Sequence, residues 1–239
     1  MISTRDGVAK NGRKLAVVFP GQGSQRIGMG RELFARFPEL TELASRLLGY
    51  SIEELCVQDR ERKLGLTQYT QPALFVMGYA LSQMWKEWGI EAEVVAGHSV
   101  GEIGAACEAG IYSMEEGARL VTERGRLMQG LPGEGAMVAV RAGEKEVSKE
   151  LRENGGKLSV AAVNGPEQVV VGGERKEVEE QERRWRAQGV ETKRLRVSHA
   201  FHTEQMEPMM GDFLAEAQGV KYQRPLRKWV STAELGSEA

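Results

Sequence analysis

Cysteine, histidine and long apolar runs are all scarce in this 239-residue chain. The two cysteines, Cys56 and Cys107, are too few for a disulfide framework or a thiolate metal cluster, so we expect no metal site. No apolar run approaches the roughly 20 residues of a membrane-spanning helix. The polar N-terminal stretch Met1–Lys14 does not have the character of a secretory signal. We therefore expect a cytoplasmic protein without a membrane partner.

Excess charge of one sign is also missing. Lysine and arginine number 32 against 34 aspartate and glutamate residues, which leaves a formal net charge of −2. This balance gives no electrostatic reason to expect binding to nucleic acid or to an anionic membrane. Hydrophobic residues make up 41% of the chain, enough for a sizeable core in one large domain or in a domain with a small insert.

The most informative motif is the G-x-S-x-G segment at 97–101, which follows the apolar run Val94–Ala96 and precedes a small-residue helical pattern. Between a strand and a helix, this pattern presents a serine hydroxyl at a sharp, strained turn. The glycines permit the close approach of strand and helix, and the start of the helix offers unpaired backbone N–H groups. The pattern predicts Ser99 as a nucleophile, and the structural alternative is a serine that caps the helix.

A second glycine-rich segment, Phe19–Gln25, follows the apolar run Lys14–Phe19. The run predicts a buried strand of a parallel sheet. At the end of such a strand, the loop would bring the backbone N–H of Gln22 close to a substrate oxygen. An ordinary glycine-rich turn explains the same residues.

Two polar side chains are candidate site residues because of their positions on predicted helices. Gln71 directly precedes Pro72, which the pattern places in the first turn of a helix that ends near Trp88, so Gln71 is either a site residue or a polar first-turn group. Arg124 lies beside the packed face of a later helix, where it either extends outward or is held to pair with a carboxylate. In the first helix, a stripe at helical spacing predicts the core face: Leu74, Met77, Leu81, Met84 and Trp88.

From Gly133 onward the pattern changes to strand, helix, strand, strand, helix, strand, the order of a ferredoxin-like unit. We therefore expect a small ferredoxin-like (βαββαβ) subdomain at 133–197. It would be inserted into a larger α/β domain made of 14–132 and 198–239, after a disordered lead-in at 1–13. Near the end of the chain, Trp229-Val230 has the character of a short strand.

All three histidines, His98, His199 and His202, lie in two short motifs. A nucleophilic serine needs a base that titrates near neutral pH, and imidazole is the usual one. If Ser99 is the nucleophile, His199 or His202 supplies the base, and the residues alone leave that choice open.

Six ordered motifs together resemble the malonyl-CoA:acyl-carrier-protein acyltransferase family, in the form found as acyltransferase domains of polyketide synthases. They are Phe19–Gln25, Thr70–Leu74, Gly97–Glu102, Arg124–Gln129, Asn164–Val171 and Ser198–His202. The resemblance implies a hydrolase-like large domain with a parallel sheet. It also implies transfer of a malonyl group to the phosphopantetheine thiol of an acyl carrier protein, in polyketide or fatty-acid synthesis. No cofactor is expected, and other synthase domains are further expected partners.

The resemblance also implies roles for individual residues. Ser99 would be the acyl-accepting nucleophile, and His202 rather than His199 would be the base. The backbone N–H groups of Gln22 and Val100 would form the oxyanion hole. Arg124 would bind the free carboxylate of the malonyl group.

The tetrapeptide 199–202 resembles the malonyl type of the family, and Val100 agrees with that type. Phe201 is therefore expected to crowd the α-carbon of the malonyl group. We add His98 and Gln71 as substrate-binding candidates. Because family members usually continue for several tens of residues past the position of Ala239, a C-terminally incomplete large domain is also expected. The alternatives are a serine hydrolase or thioesterase, and an inactive truncated acyltransferase domain that acts only in binding.

Overall fold

The computed structural model describes residues 14–195 and 197–232, so the expected lead-in at 1–13 lies outside the described residues. The chain divides into two compact units. Unit 1 consists of Met1–Arg126 together with Ala215–Ala239, and unit 2 consists of Leu127–Leu214. Within the described part of the chain, no helix is both long enough and apolar enough to cross a membrane.

One to four α-helices separate most of the successive strands in the described chain. The strands are β1 (Ala16–Phe19), β2 (Val94–Gly97), β3 (Gly135–Val140), β4 (Ser159–Gly165), β5 (Gln168–Glu174), β6 (Thr192–Arg194) and β7 (Lys228–Val230). The helices are α1 (Arg31–Arg36), α2 (Pro38–Leu48), α3 (Ile52–Val57), α4 (Thr67–Glu87), α5 (Val100–Glu108), α6 (Met114–Gln129), α7 (Glu144–Glu153), α8 (Arg175–Ala187) and α9 (Glu207–Gln218). A single 3-10 turn, Glu204–Met206, precedes α9.

Unit 1 contains a parallel sheet in the order β1-β2-β7. The register places Val95 of β2 beside Val17 of β1 on one side and beside Trp229 of β7 on the other. The strand expected at Trp229-Val230 is therefore confirmed, and among the described residues it lies at one end of this sheet. Because parallel strands run in one direction, the loops after β1, β2 and β7 all emerge at the same edge, where sites of open α/β sheets lie.

The prediction that β1 is a buried strand is wrong for one of its faces. Phe19 packs in the core with Val95 and Ala105, and Val17 contacts the same cluster. Val18 points to the opposite face and is 66% exposed. An apolar run does not show whether both faces of a strand are covered, because alternating side chains point to opposite sides.

Helix α4 differs from its predicted form in two ways. It begins at Thr67, so Pro72 lies in its second turn and not in its first. Its buried residues include Ala73, Phe75, Val76 and Ala80, whereas Trp88, from the predicted stripe, is 53% exposed. Close packing contributes to this choice of face, because a side chain at Gly78 would lie 2.8 Å from the ring of Phe19 of β1.

Unit 2 contains an antiparallel sheet in the order β4-β5-β3-β6. This order and the intervening α7 and α8 confirm the ferredoxin-like prediction. Val138 and Val171 of the sheet form a core with Trp185 of α8. The last strand is only three residues long, shorter than the pattern at 190–197 predicts.

The compact unit extends beyond the 133–197 expected for the insert. Its second core lies around Met137 and Val170 of the sheet, and it recruits Met128 from before the insert together with Phe201 and Met206 from after it. These flanking apolar residues explain why the unit covers 127–214.

Candidate active site

Ser99 occupies a strained turn between β2 and α5. Its backbone has φ 53° and ψ −118°, a conformation that L-residues rarely adopt. Three backbone hydrogen bonds hold the turn: His98 N–H donates to the carbonyl of Phe19 at 3.0 Å, Gly101 N–H donates to the carbonyl of His98 at 2.9 Å, and Glu102 N–H donates to the carbonyl of Ser99 at 3.0 Å. The strained serine matches the strand–turn–helix geometry that the G-x-S-x-G pattern predicts.

The two glycines of the motif are required by space. A Cβ at Gly97 would lie 2.1 Å from the backbone carbonyl carbon of Gly101. A Cβ at Gly101 would lie 2.2 Å from the carbonyl oxygen of Phe19. Both distances are far below van der Waals contact, and the obstructing atoms belong to the backbone. The start of α5 therefore lies directly against the ends of β1 and β2, which fixes where Ser99 emerges.

Arg124 reaches the serine turn because α6 packs closely on α4. A Cβ at Gly117 would lie 2.5 Å from the Phe75 ring, and one at Gly125 would lie 3.0 Å from the Cα of Gln68. At this close approach, Arg124 Nη1 donates to Gln71 Oε1 at 2.8 Å.

Arg124 Nη2 donates to the hydroxyl oxygen of Ser99 at 3.3 Å. Gln71 is only 1% exposed, so the guanidinium has a rigid partner on one side and the candidate nucleophile on the other. Arg124 therefore does not extend outward, and its pairing with a carboxylate stays a prediction.

Arg124 carries a half-buried cation. Burial lowers the pKa of Arg124 to about 10, while the nearby negative charge of Glu102 acts in the opposite direction. At neutral pH the group is still positively charged. Among the described residues, its hydrogen-bond partners are the neutral Gln71 and Ser99, and none of the ion pairs involves it. A charge held in this way favours an anionic group next to Ser99.

In the Gln22 loop, the side chain of Gln22 forms a hydrogen bond within the protein, whereas its backbone N–H does not among the described residues. Gln22 Nε2 donates to Thr67 Oγ1 at 3.2 Å. Within the described part of the chain, the backbone N–H groups of Gln22 and Val100 have no acceptor. Val100 is the first residue of α5, where helical N–H groups have no intrahelical partner. These are the two N–H groups that the resemblance to the acyltransferase family implies for an oxyanion hole, a role that stays a prediction.

His98 links the serine turn to the Gln22 loop. Its side chain is exposed, and a Cβ at Gly21 would lie 2.5 Å from His98 Nδ1. The two loops therefore pack directly on each other at the ends of β1 and β2. The structure shows a packing contact for His98 and leaves its role in substrate binding a prediction.

In unit 2, His199 is held on both ring nitrogens. Its Nε2 lies 3.0 Å from the carbonyl oxygen of Leu131, and its Nδ1 lies 2.9 Å from Ser198 Oγ. Because a carbonyl only accepts, this network assigns the proton to Nε2 and makes Nδ1 the acceptor of the Ser198 hydroxyl. His199 is also 7% exposed. A buried imidazole with both nitrogens engaged is poorly suited to accept a proton from a substrate or a serine.

His202, by contrast, is exposed and has a positive φ of 59°. Its loop is held by Thr203, whose Oγ1 donates to the carbonyl of Ala200 at 2.7 Å. The loop runs close to β3, since a Cβ at Gly135 would lie 2.1 Å from the backbone nitrogen of Ala200. Phe201, the neighbour of His202, is 7% exposed and packs in the second core of unit 2. Its predicted contact with substrate stays a prediction.

Sequence reasoning missed two residues of this site, Thr67 and Glu102. The signal for Thr67 was present, because positions 67 and 71 are four apart and therefore lie on one face of α4. Glu102 lies inside the recognised motif, but a motif does not show which side chains its members contact. Its partners, Ser231 and Thr232, are about 130 positions away along the chain.

Comparisons with known proteins agree with this geometry. The sequence model of the family described as "Acyl transferase domain" matches residues 16–236. The polyketide synthase GfsA of Streptomyces halstedii is 43% identical over 238 residues, which is 93% of this chain and 3% of that synthase. The chain therefore spans a very small part of the length of this curated relative.

Two solved structures are close in both sequence and fold. The acyltransferase domain from the second module of the salinomycin polyketide synthase is 45% identical, with a TM-score of 0.88, and the match covers 95% of this chain and 54% of that one. The malonyl CoA-acyl carrier protein transacylase of Burkholderia pseudomallei is 38% identical, with a TM-score of 0.85, over 90% of this chain and 75% of that one.

Proposed function

Because the chain belongs to the acyl transferase domain family found in polyketide synthases, we propose that it transfers a malonyl group from malonyl-CoA to an acyl carrier protein. Ser99 would be the acylated residue and His202 the base. The proposed reaction uses no resident cofactor. Coenzyme A arrives with the acyl group, and phosphopantetheine arrives on the carrier protein.

The observation that carries the malonyl assignment is the arrangement of Arg124. Its guanidinium donates to Ser99 Oγ at 3.3 Å and has a second, neutral partner in Gln71. An acyl group attached to Ser99 would extend from the same oxygen that Nη2 now contacts. A malonyl group carries its free carboxylate only two carbon–carbon bonds beyond the ester carbonyl, so we expect the planar guanidinium to bind it in a bidentate manner. A simple esterase substrate has no group that would need this cation.

The proposed first half-reaction begins with attack of Ser99 Oγ on the thioester carbonyl carbon, while His202 takes the hydroxyl proton. The backbone N–H groups of Gln22 and Val100 would stabilise the tetrahedral oxyanion. The carbon–sulfur bond then breaks, and coenzyme A leaves as a thiol with the proton from His202. The result is a malonyl ester on Ser99.

The second half-reaction reverses these steps with a different thiol. His202 takes the proton of the phosphopantetheine sulfur, which attacks the ester carbonyl. The carbon–oxygen bond to Ser99 breaks, and the serine oxygen recovers the proton. The name of the Burkholderia pseudomallei transacylase includes this pair of reactants, malonyl-CoA and an acyl carrier protein. Its 38% identity over 90% of this chain supports the same pair here.

The test is intact-mass measurement after incubation with malonyl-CoA. We expect a stable increase by one malonyl group, located on the peptide that contains Ser99 and absent from Ser99→Ala. The matched control is Ser51→Ala, which removes a serine that caps α3 by accepting from Glu54 N–H at 3.1 Å. Ser51→Ala should lose about 1 kcal/mol of stability and still take up malonyl.

The other outcomes identify the alternatives. Release of free malonate without a lasting adduct would indicate a hydrolase. An unchanged mass in correctly folded protein would indicate a domain that acts only in binding. Transfer from the adduct to a carrier protein bearing phosphopantetheine completes the assignment.

A further inference from the structure

The two residues after β7 form hydrogen bonds to residues that lie before and after Ser99 in the sequence. Thr232 Oγ1 donates to the carbonyl oxygen of Gly97 at 2.7 Å, two residues before the serine. Ser231 Oγ donates to Glu102 Oε1 at 2.6 Å, three residues after it. Glu102 Oε2 also lies 3.0 Å from Thr232 Oγ1 and 3.4 Å from Thr232 N. The last residue of β2 and the first turn of α5 are thus joined through one short segment.

Strand register explains why this segment reaches the turn. Val230 of β7 lies beside Ala96 of β2 in the parallel pair. Ser231 follows Val230 directly after β7, and Gly97 follows Ala96 as the last residue of β2. The chain after β7 therefore runs alongside the G-x-S-x-G turn. Since Gly97 has no side chain, its carbonyl is accessible to the threonine hydroxyl from this side.

We infer that Ser231, Thr232 and Glu102 are positioning residues that hold Ser99 in its strained, reactive conformation. A serine at φ 53° persists only when its surroundings fix it. The hydrogen bonds from Thr232 and Ser231 restrain the backbone on both sides of that serine. None of the three residues needs to touch the substrate for this role.

Glu102 gives the contact a second consequence. Burial lowers the pKa of Arg124, and the negative charge of Glu102 acts in the opposite direction. The carboxylate of Glu102 therefore lies close enough to affect that cation. Ser231 and Thr232 fix the position of the carboxylate and thereby its effect on Arg124. The same segment therefore bears on the nucleophile through Gly97 and on the candidate carboxylate-binding group through Glu102.

This inference rests on the proposed role of Ser99, so its test uses a readout that does not depend on the acyl donor. The readout is the second-order rate constant for labelling of Ser99 by a fluorophosphonate, measured beside malonyl uptake and thermal melting. Thr232→Val keeps the shape of the side chain and removes its hydroxyl. Thr232→Ser keeps the hydroxyl. The matched control is Thr41→Val, because the Thr41 hydroxyl also contacts two acceptors, the carbonyls of Phe34 and Phe37, in a part of unit 1 that contains none of the candidate site residues.

We expect Thr232→Val to slow labelling and malonyl uptake by about 10- to 100-fold, since displacing a reacting group by about 1 Å can cost a factor of about 100. The loss should appear in kcat, with the KM for malonyl-CoA nearly unchanged. Thr232→Ser should stay within about twofold of the parent. Thr41→Val should lower the melting temperature and leave the labelling rate unchanged. If Thr232→Val folds poorly, Ser231→Ala removes one hydrogen bond to Glu102 and should give a smaller loss in the same direction.

Three results would overturn the inference. One is a labelling rate of Thr232→Val equal to that of the parent. Another is an equal loss in Thr232→Ser, which would assign the effect to something other than the hydroxyl. The third is a wild-type rate in Ser231→Ala where Thr232→Val does not fold. A parent protein that reacts with the fluorophosphonate at Ser99 but never takes up malonyl would count against the proposed function instead.

Discussion

Replacement of Arg124 by alanine tests the proposed substrate specificity most directly. The substitution removes the hydrogen bond to Ser99 Oγ and the one to Gln71, and it removes the positive charge of the guanidinium beside the serine. Loss of the contact to Ser99 affects every acyl donor alike. Loss of the carboxylate partner affects only donors that carry a free carboxylate. The ratio of kcat/KM for malonyl-CoA to kcat/KM for acetyl-CoA therefore isolates the proposed role.

The magnitude follows from the environment of the guanidinium. A hydrogen bond between charged groups contributes about 1.5–3 kcal/mol, and a bidentate pair contains two of them. Arg124 is half-buried, so water reduces the total, and we expect about 2–3 kcal/mol for the pair. That free energy corresponds to a loss of about 30- to 150-fold in the malonyl-to-acetyl ratio. Arg124→Lys keeps a positive charge without the planar guanidinium, so its malonyl-to-acetyl ratio should lie between those of the parent protein and Arg124→Ala.

The assay is a competition between malonyl-CoA and acetyl-CoA, with both acyl-enzymes counted by intact mass at early times. Arg119→Ala is the matched control, because Arg119 lies on the same helix and forms a partly exposed ion pair with Glu216 at 3.2 Å. This control should leave the ratio unchanged. If Arg124→Ala lowered both rates equally and preserved the ratio, the guanidinium would be acting on Ser99 alone, and the reasoning about the carboxylate would be refuted.

Three further predictions follow from the packing around the site. His202→Ala should remove most of the acylation rate, whereas His199→Ala should mainly lower the melting temperature, because both nitrogens of His199 have structural partners; an equal loss of rate would contradict this assignment. Gly101→Ala should prevent folding, since its Cβ would lie 2.2 Å from a backbone oxygen. The control is Gly211→Ala on α9, whose Cβ meets no atom within 4 Å, and thermal melts should show the protein stabilised by about 0.5–1 kcal/mol. Phe201→Ser should lower the discrimination against methylmalonyl-CoA relative to malonyl-CoA by at most about 1–3 kcal/mol in competition assays. An unchanged preference would show that Phe201 does not determine specificity.

The serine turn could be predicted from sequence because its constraint is local. Two glycines four residues apart, on either side of Ser99, are needed where strand and helix backbones approach within contact distance. Such a requirement leaves a direct mark in the amino-acid order. The ferredoxin-like order of unit 2 was predictable for a similar reason, since alternation and turn residues within short windows define each element.

The side of α4 that faces the core could not be predicted in this way. Hydrophobicity favoured the stripe that includes Leu81 and Trp88, but those residues are 39% and 53% exposed. The buried residues of the helix instead include Ala73, Phe75, Val76 and Ala80. Which face is chosen depends on the volume of the partner, such as the Phe19 ring beside Gly78, and a partner from another element is not visible in the helix sequence.

The roles of polar residues depend on distant partners even more strongly. Spacing alone left His199 and His202 equal as candidates for the base. The distinction comes from the carbonyl of Leu131, 68 positions before His199, which engages one nitrogen and thereby fixes the tautomer. Likewise, Ser231 and Thr232 look like ordinary polar residues until β7 pairs with β2 and brings them to Gly97 and Glu102. A motif in the sequence therefore identifies which atoms can react, whereas strand register and helix packing determine which groups orient them.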